Sequence, residues 1–319
     1  MKPISAIALV MILMVSFPWL VKSDFLINFA IMLLFYAFLG QSWNVLGGYG
    51  GQFSFGHVAF FGTGAYATAI LQTAFGINPW IGLMLAGLAG ASMGLVVGFL
   101  TFRFGLKGAY FALVTLAFAE ILRILANTVE FTGAGVGILI PLEQSVANLQ
   151  FADKKGFYLL ALALVVLGLV ITAHLERSRF GARLVAVREN EDAARALGVN
   201  VFEIKLKAIA LSGSLAGLAG AFYTQYFLYL DPTIAYGPAV SVEALLVPII
   251  GGTGTLFGPL LGSGALHTIG EIAQHVAADA PGLNLVVYGT LLVLMVLFLP
   301  DGLWGLVTRL RGGKKGVDK

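Results

Sequence analysis

No lysine or arginine stands between Lys22 and Arg103, and none between Lys207 and Arg309. Charged residues make up 11% of the 319, against about 25% in a soluble domain. Hydrophobic residues make up 59%. A chain this poor in charge cannot cover a water-facing surface of its own size, so the bilayer must replace water over most of it. The length would accommodate two soluble domains of roughly 150 residues, but no stretch reads as one. The expectation is a single transmembrane domain over 1–319, an all-α polytopic bundle.

A span needs about 20 mostly apolar residues. Such segments lie near 4–21, 25–47, 53–75, 79–102, 108–127, 157–173, 207–230, 242–262, 264–279 and 284–305, about ten spans within a range of about eight to ten. The segment 264–279 is the shortest and most polar. The N-terminal run carries no small-residue cleavage site after Val21, so it reads as a retained span rather than a signal peptide. Twelve of the 19 basic residues fall in 177–207 and 309–319. Cytoplasmic loops concentrate Lys and Arg, so both segments and both termini are expected in the cytoplasm of a bacterial inner-membrane protein. Arg103 and Lys107 then fall inside, and the loops at 76–78 and 231–239 outside. Lys154 and Lys155, in the external loop 128–156, go against the rule. The net charge of +3 follows from these loops and is no nucleic-acid footprint. The absence of Cys excludes disulfides, Cys-ligated zinc, iron–sulfur clusters and thiol catalysis.

Glycine is abundant, at 41 residues. Small residues let membrane helices approach closely, so Gly90-x3-Gly94-x3-Gly98, and Gly213 and Gly217 with Gly220, read as packing faces. Two clusters differ. Gly47-Gly48-Tyr49-Gly50-Gly51 and Gly251-Gly252-Thr253-Gly254 each interrupt an apolar run. Interrupted helices in corresponding positions point to a solute pathway; a tight cytoplasmic turn is the plainer reading. Gln41, Asn44, Ser54 and His57, with Gly50 and Gly252, are the candidate pathway residues. Glu120 and Arg123 are spaced to pair on one helix face. His267, Glu271, His275 and Asp279 form a polar stripe that suits an inter-helix face. Ligands on one straight helix converge poorly on an ion, so no metal is expected, and no catalytic nucleophile–base arrangement emerges.

The one sizeable polar stretch is 174–207. Asn190 can cap a helix, Glu191 and Asp192 suit its first turn, and Gly198 suits its end. This predicts a helix of about two turns over Glu191–Leu197. So short a helix is marginal alone and needs a docking surface, on this chain or on a partner.

Asp192-Ala193-Ala194-x3-Gly198 resembles the cytoplasmic E-A-A-x3-G loop of ABC importer permeases. Its surroundings, SRFGARLVAVRENEDAARALGVNVFEIKLKAIALSGSLAGLAGA, resemble the branched-chain amino-acid permease family, in particular its LivM-type branch. SWNVLGGYGGQFSFGHVAFFGTGAYATAIL, LKGAYFALVTLAFAEILRIL, GGTGTLFGPLLGSGAL and FLPDGLWGL match as well, so the resemblance covers nearly the whole chain. Asp192 replaces the usual Glu, and the I-x-L-P that follows the general pattern is absent, Ala208-Ile209-Ala210-Leu211 standing there instead. The resemblance implies two cytosolic ATPase subunits, a second permease subunit of LivH type and a periplasmic binding protein. It also implies that Arg188, Glu189, Asn190, Glu191, Asp192, Ala193, Ala194, Leu197 and Gly198 couple to an ATPase, with Ala194 and Leu197 as the apolar contact and Arg188, Glu189 and Arg195 around it. No cofactor is expected on this chain. It has no phosphate-binding loop, Gly312-Gly313-Lys314-Lys315 lacking the preceding strand. ATP is then used by the partners.

The leading expectation is uptake of leucine, isoleucine or valine by alternating access. A urea or short-amide permease of the same family would share nearly every motif. An ion-coupled secondary transporter would not need the 174–207 segment. An intramembrane enzyme would have to draw its acid–base groups from Glu120, Glu243, Glu271, His57, His267 and His275.

Overall fold

The computed structural model describes residues 14–276 and 302–311, with isolated positions between them. In chain order its helices are α1 (Asp24–Trp43), continued by a π-helical turn (Asn44–Tyr49), α2 (Val58–Thr73), α3 (Pro79–Arg103), α4 (Gly108–Thr128), α5 (Lys154–Arg177), α6 (Arg179–Glu189), α7 (Glu191–Ala196), α8 (Val201–Phe227), α9 (Pro232–Tyr236), α10 (Pro238–Gly251), α11 (Gly258–Val276) and α12 (Gly302–Arg311). Short polar side chains start many of them by accepting the first free amides. Asn78 receives the Trp80 amide at 2.9 Å, and Asp153 receives that of Lys155 at 3.1 Å. A two-residue ribbon, β1 (Ile138–Leu139) against β2 (Tyr229–Leu230), is antiparallel and ties the 128–156 connection to the end of α8.

Glycine sets the packing. A Cβ on Gly90 would stand 2.2 Å from the Gly213 carbonyl oxygen, and one on Gly217 would stand 2.2 Å from that of Ala86. The two glycine runs are therefore one joint between α3 and α8, and α2 reaches it through Gly64, where a Cβ would stand 2.4 Å from the Gly217 Cα. Lipid is as apolar as the side chains, so close van der Waals packing holds such helices together. Helix α1 lies among α5, α8, α10 and α11. Ile31, Phe38, Leu39, Trp43 and Leu46 are fully buried there.

Six helical segments among the described residues are long and apolar enough to cross a membrane: Asp24–Tyr49, Pro79–Arg103, Gly108–Thr128, Lys154–Arg177, Val201–Phe227 and Pro232–Gly251. The expected segments 4–21 and 284–305 lie largely outside the described residues. The expected segment 53–75 starts as a helix only at Val58 and has 16 residues, because Gly50–His57 is spent on a non-helical connection. The boundary expected near 263 lies instead at Gly252–Phe257, between α10 and α11. Gly252 there has φ 122° and Gly254 has φ 68°, values that only glycine adopts readily. This is the glycine cluster Gly251-Gly252-Thr253-Gly254 that interrupts the apolar run in the sequence, and the expected span 242–262 ran through it. The expected loop 174–207 is mostly helix: α5 runs to Arg177, α6 follows at once, and α8 begins at Val201.

Candidate functional site

The two glycine breaks, far apart in sequence, meet in space. Asn44 joins them. Its side-chain amide donates to the Thr255 carbonyl at 3.0 Å, and its side-chain oxygen accepts from the Gly254 amide at 2.8 Å. The approach is close enough that a Cβ on Gly48 would stand 2.6 Å from the Gly254 nitrogen. Thr255 closes the second break on itself, donating to the Gly252 carbonyl at 2.8 Å and accepting from the Gly258 amide at 3.1 Å. Trp43 braces the first break: its ring fills the space beside Gly47, and its indole N–H donates to the Ser54 carbonyl at 2.8 Å. The first break is itself π-helical, a local form concentrated at functional sites.

Arg188, in α6, reaches both breaks. Its Nη1 donates to the Gly48 carbonyl at 3.0 Å, while its Nη2 and Nε hold Glu189 Oε1 at 2.6 and 3.0 Å. Its stem covers Gly51, whose φ is 65° and whose Cβ would stand 2.6 Å from Arg188 Cγ. A Cβ on Gly254 would stand 3.1 Å from Arg188 Nη1. Arg188 therefore faces the breaks rather than the outer edge of the polar segment, where the sequence reading put it.

The next turn is docked on its own chain. Asn190 caps α7, accepting from the Asp192 and Ala193 amides at 2.9 Å each. At the other end Gly198 has φ 81°. Its amide bonds the Arg195 carbonyl at 3.0 Å and the Val199 amide bonds that of Ala194 at 3.0 Å, the paired closure that favours glycine at this position. Glu191 ties α7 to two spans, meeting Lys107 at 3.0 Å ahead of α4 and Lys205 in α8. Burial works against its ionisation, but the hydrogen bonds from Lys205 and Lys107 outweigh that and hold its carboxyl below the ordinary range. The Lys107–Glu191 bridge also puts the Arg103–Lys107 turn and the 174–207 segment on one side of the bundle. Ala194, expected on the contact surface, is buried within this chain at 2% exposure, whereas Leu197 is 84% exposed. Ala194 points inward because the short helix needs an apolar anchor. Leu197 borders a groove of about 400 Å³ with Phe180, Arg183, Val199 and Lys207. Asp192 and Arg195 pair at 3.0 Å on the exposed side.

The remaining pathway candidates sit behind the breaks. His57 is fully buried, its Nε2 2.9 Å from Ser42 Oγ. Gln41 is buried against Gly168, with neither side-chain polar atom bonded. Ser54 Oγ and His57 Nδ1 are likewise buried without a hydrogen-bond partner. Gly50 is pressed against the Leu46 carbonyl, and Gly252 lies within the second break. Asn44 and Gly252 thus belong to the junction itself, whereas Gln41, Ser54 and His57 are interior residues in this conformation.

A family signature described as "Branched-chain amino acid transport system / permease component" matches residues 25–296. The chain belongs to this family. The high-affinity branched-chain amino acid transport system permease protein LivM of Salmonella typhimurium is 32% identical, over 92% of this chain and 73% of its own length. A probable branched-chain amino acid transport permease protein LivH of Methanocaldococcus jannaschii is 28% identical over 76% of this chain and 79% of its own. The fructose import permease protein FruF of Bifidobacterium longum is 26% identical over 61% and 53%.

Several residues around this permease's junction escaped the sequence reading. Tyr49 donates to Glu176 at 2.5 Å, fastening the first break to the end of α5. Thr115 accepts from the Phe55 and Gly56 amides at 3.2 Å each, fastening the connection after that break to α4. A lone Thr or Tyr in an apolar run carries no local signal. Lys205, the partner of the already singled-out Glu191, did carry one, as a lysine at the edge of a long apolar run. The polar stripe on α11 is described in part: the His267 ring lies 4.4 Å from that of Tyr36, with its Nδ1 3.0 Å from the Ser263 carbonyl. The His275 side chain and Asp279 lie outside the described residues.

Proposed function

We propose that this chain is one permease subunit of an ATP-driven importer for branched-chain amino acids. It would work in the bacterial inner membrane with a LivH-type permease, two cytosolic ATPases and a periplasmic binding protein, both termini being cytoplasmic. Four further segments, 4–21, α2, α11 and 284–305, added to the six long helices would make ten spans. The observation that carries the reading is mechanical. A short capped helix that cannot stand alone is fixed to α6, and Arg188 of α6 holds the junction of two interrupted spans. A force applied to the exposed Leu197 and its groove would be delivered to the glycine breaks, where backbone torsions turn at least cost. Leu197 and the groove, not Ala194, form the surface offered to an ATPase. Closure of the ATPases would then shift α6 and α7, part the Asn44 junction and switch the bundle between outward and inward access. The test is leucine uptake into vesicles carrying the complex purified with its partner subunits from the native membrane. Uptake that needs internal ATP is expected; uptake driven by an ion gradient without ATPase partners would overturn the reading.

A further inference from the structure

The strongest unexplained feature outside the junction is an exposed ion pair on α4. Arg123 Nε and Nη2 donate to Glu120 Oε2 and Oε1 at 2.9 and 2.6 Å. The two side chains remain 33% and 49% exposed respectively. At 1.5 Å per residue, Glu120 lies about 18 Å from Gly108 and about 12 Å from Thr128, so it is at membrane depth. It sits within a stripe of exposed positions, Leu113, Ala117, Glu120 and Ile124, that recurs with the helical period. Only 28% of the apolar window of α4 is buried inside the chain. Facing hydrocarbon, such a pair would be costly; ionisable residues at this depth normally face a partner or a water-filled path. The helix is also fastened to the first break, because the Phe55 and Gly56 amides both donate to Thr115 on its buried side. Its exposed face would therefore move with that break.

We infer that the Glu120–Arg123 pair lines the solute path and receives the charged head of a zwitterionic α-amino acid, the carboxylate of Glu120 meeting its ammonium and the guanidinium of Arg123 its carboxylate. This rests on the importer reading above. A zwitterion presents one charge of each sign on neighbouring groups, which is what a bidentate pair on adjacent turns can exchange for its own partner. Paired with each other when the path is empty, the two side chains leave no lone charge at membrane depth. Opened onto the solute, they keep the same number of charge-assisted contacts.

The test uses the assembled importer in vesicles, made from this Cys-free chain. A cysteine at Ala117 should react with a membrane-impermeant cationic thiosulfonate, and saturating leucine should slow that reaction. Glu120→Gln and Arg123→Gln should each lower leucine uptake about tenfold or more while the partners still co-purify. The reversed pair, Glu120→Arg with Arg123→Glu, should likewise assemble but should not restore uptake, because the solute's side chain would then point the wrong way. Full uptake by the reversed pair would show a mere structural staple and overturn the inference. So would an Ala117→Cys that stays unreactive, or one that reacts only in the isolated subunit, which would show a covered interface. If the unsubstituted importer takes up no leucine, the importer's substrate assignment fails; protection of Ala117→Cys by another zwitterionic amino acid would then still support the site.

Discussion

Asn44→Ala removes the side chain that ties the π-helical turn of the first glycine break to the second break. Two interactions disappear together: the donation to the Thr255 carbonyl at 3.0 Å and the acceptance from the Gly254 amide at 2.8 Å. Asn44 is 1% exposed, so no outside group can replace it directly. A buried polar group left unpaired costs about 1–3 kcal/mol. Gly254 and Thr255 are only partly buried, which puts the pair of losses at about 2–4 kcal/mol. At about 1.4 kcal/mol per factor of ten, the junction would open roughly thirty- to several-hundred-fold more readily. The complex should melt at a lower temperature in detergent, and basal ATP hydrolysis should rise while uptake falls. Asn44→Asp keeps the acceptor for Gly254 but sets a buried carboxylate oxygen against the Thr255 carbonyl, so it should be at least as disruptive as Asn44→Ala. An Asn44→Ala complex with unchanged melting and unchanged uptake would refute the claim that this residue holds the breaks together.

Three further outcomes follow from named contacts. Glu191→Gln should loosen α7 from α4 and α8, read as faster proteolysis within 189–200. Because the folded-state carboxyl of Glu191 is held below its ordinary range, the stability it contributes is present above the unfolded value and is lost as pH falls through the folded one; the wild-type segment should therefore become protease-sensitive in acid, and the Glu191→Gln segment should show no such step. A cysteine replacing the exposed Arg179 should resist an impermeant thiol reagent in intact cells, while one replacing the exposed Thr233 should react; the reverse pattern would invert the topology. Gly217→Val should block assembly of the bundle, since even a Cβ would lie 2.2 Å from the Ala86 carbonyl oxygen and overpacking costs about 1–3 kcal/mol or more.

Local physics made part of this molecule legible in its sequence. Apolar runs placed most of the long helices. The cap at Asn190, the acids after it and Gly198 placed α7, because helix ends are written in adjacent residues. The i, i+3 spacing of Glu120 and Arg123 announced their pair. What stayed hidden depends on contacts between distant segments. Asn44 and Gly254 are 210 positions apart, and Arg188 and Gly48 are 140 apart; no local pattern encodes such a meeting. Ala194 and Leu197 are both apolar and three apart, yet one turns into the chain and one out, which only the docking of α7 on α8 decides. The glycines at 251–254 marked the second break, but not that it ends one helix and starts the next, nor that it meets the first break.

Arg188 gives the most direct test of the central claim, that the polar segment transmits force to the glycine breaks. Its contact with the Gly48 carbonyl is a charged hydrogen bond, worth about 1.5–3 kcal/mol, and Gly48 sits in the span where the junction opens. The measurement is the number of leucine molecules taken up per ATP hydrolysed by the reconstituted importer. For Arg188→Ala the ATPases should remain bound through Leu197 and its groove, hydrolysis should continue, and the ratio should fall about tenfold or more. An Arg188→Ala complex that hydrolyses ATP and imports leucine at the unsubstituted ratio would contradict the account.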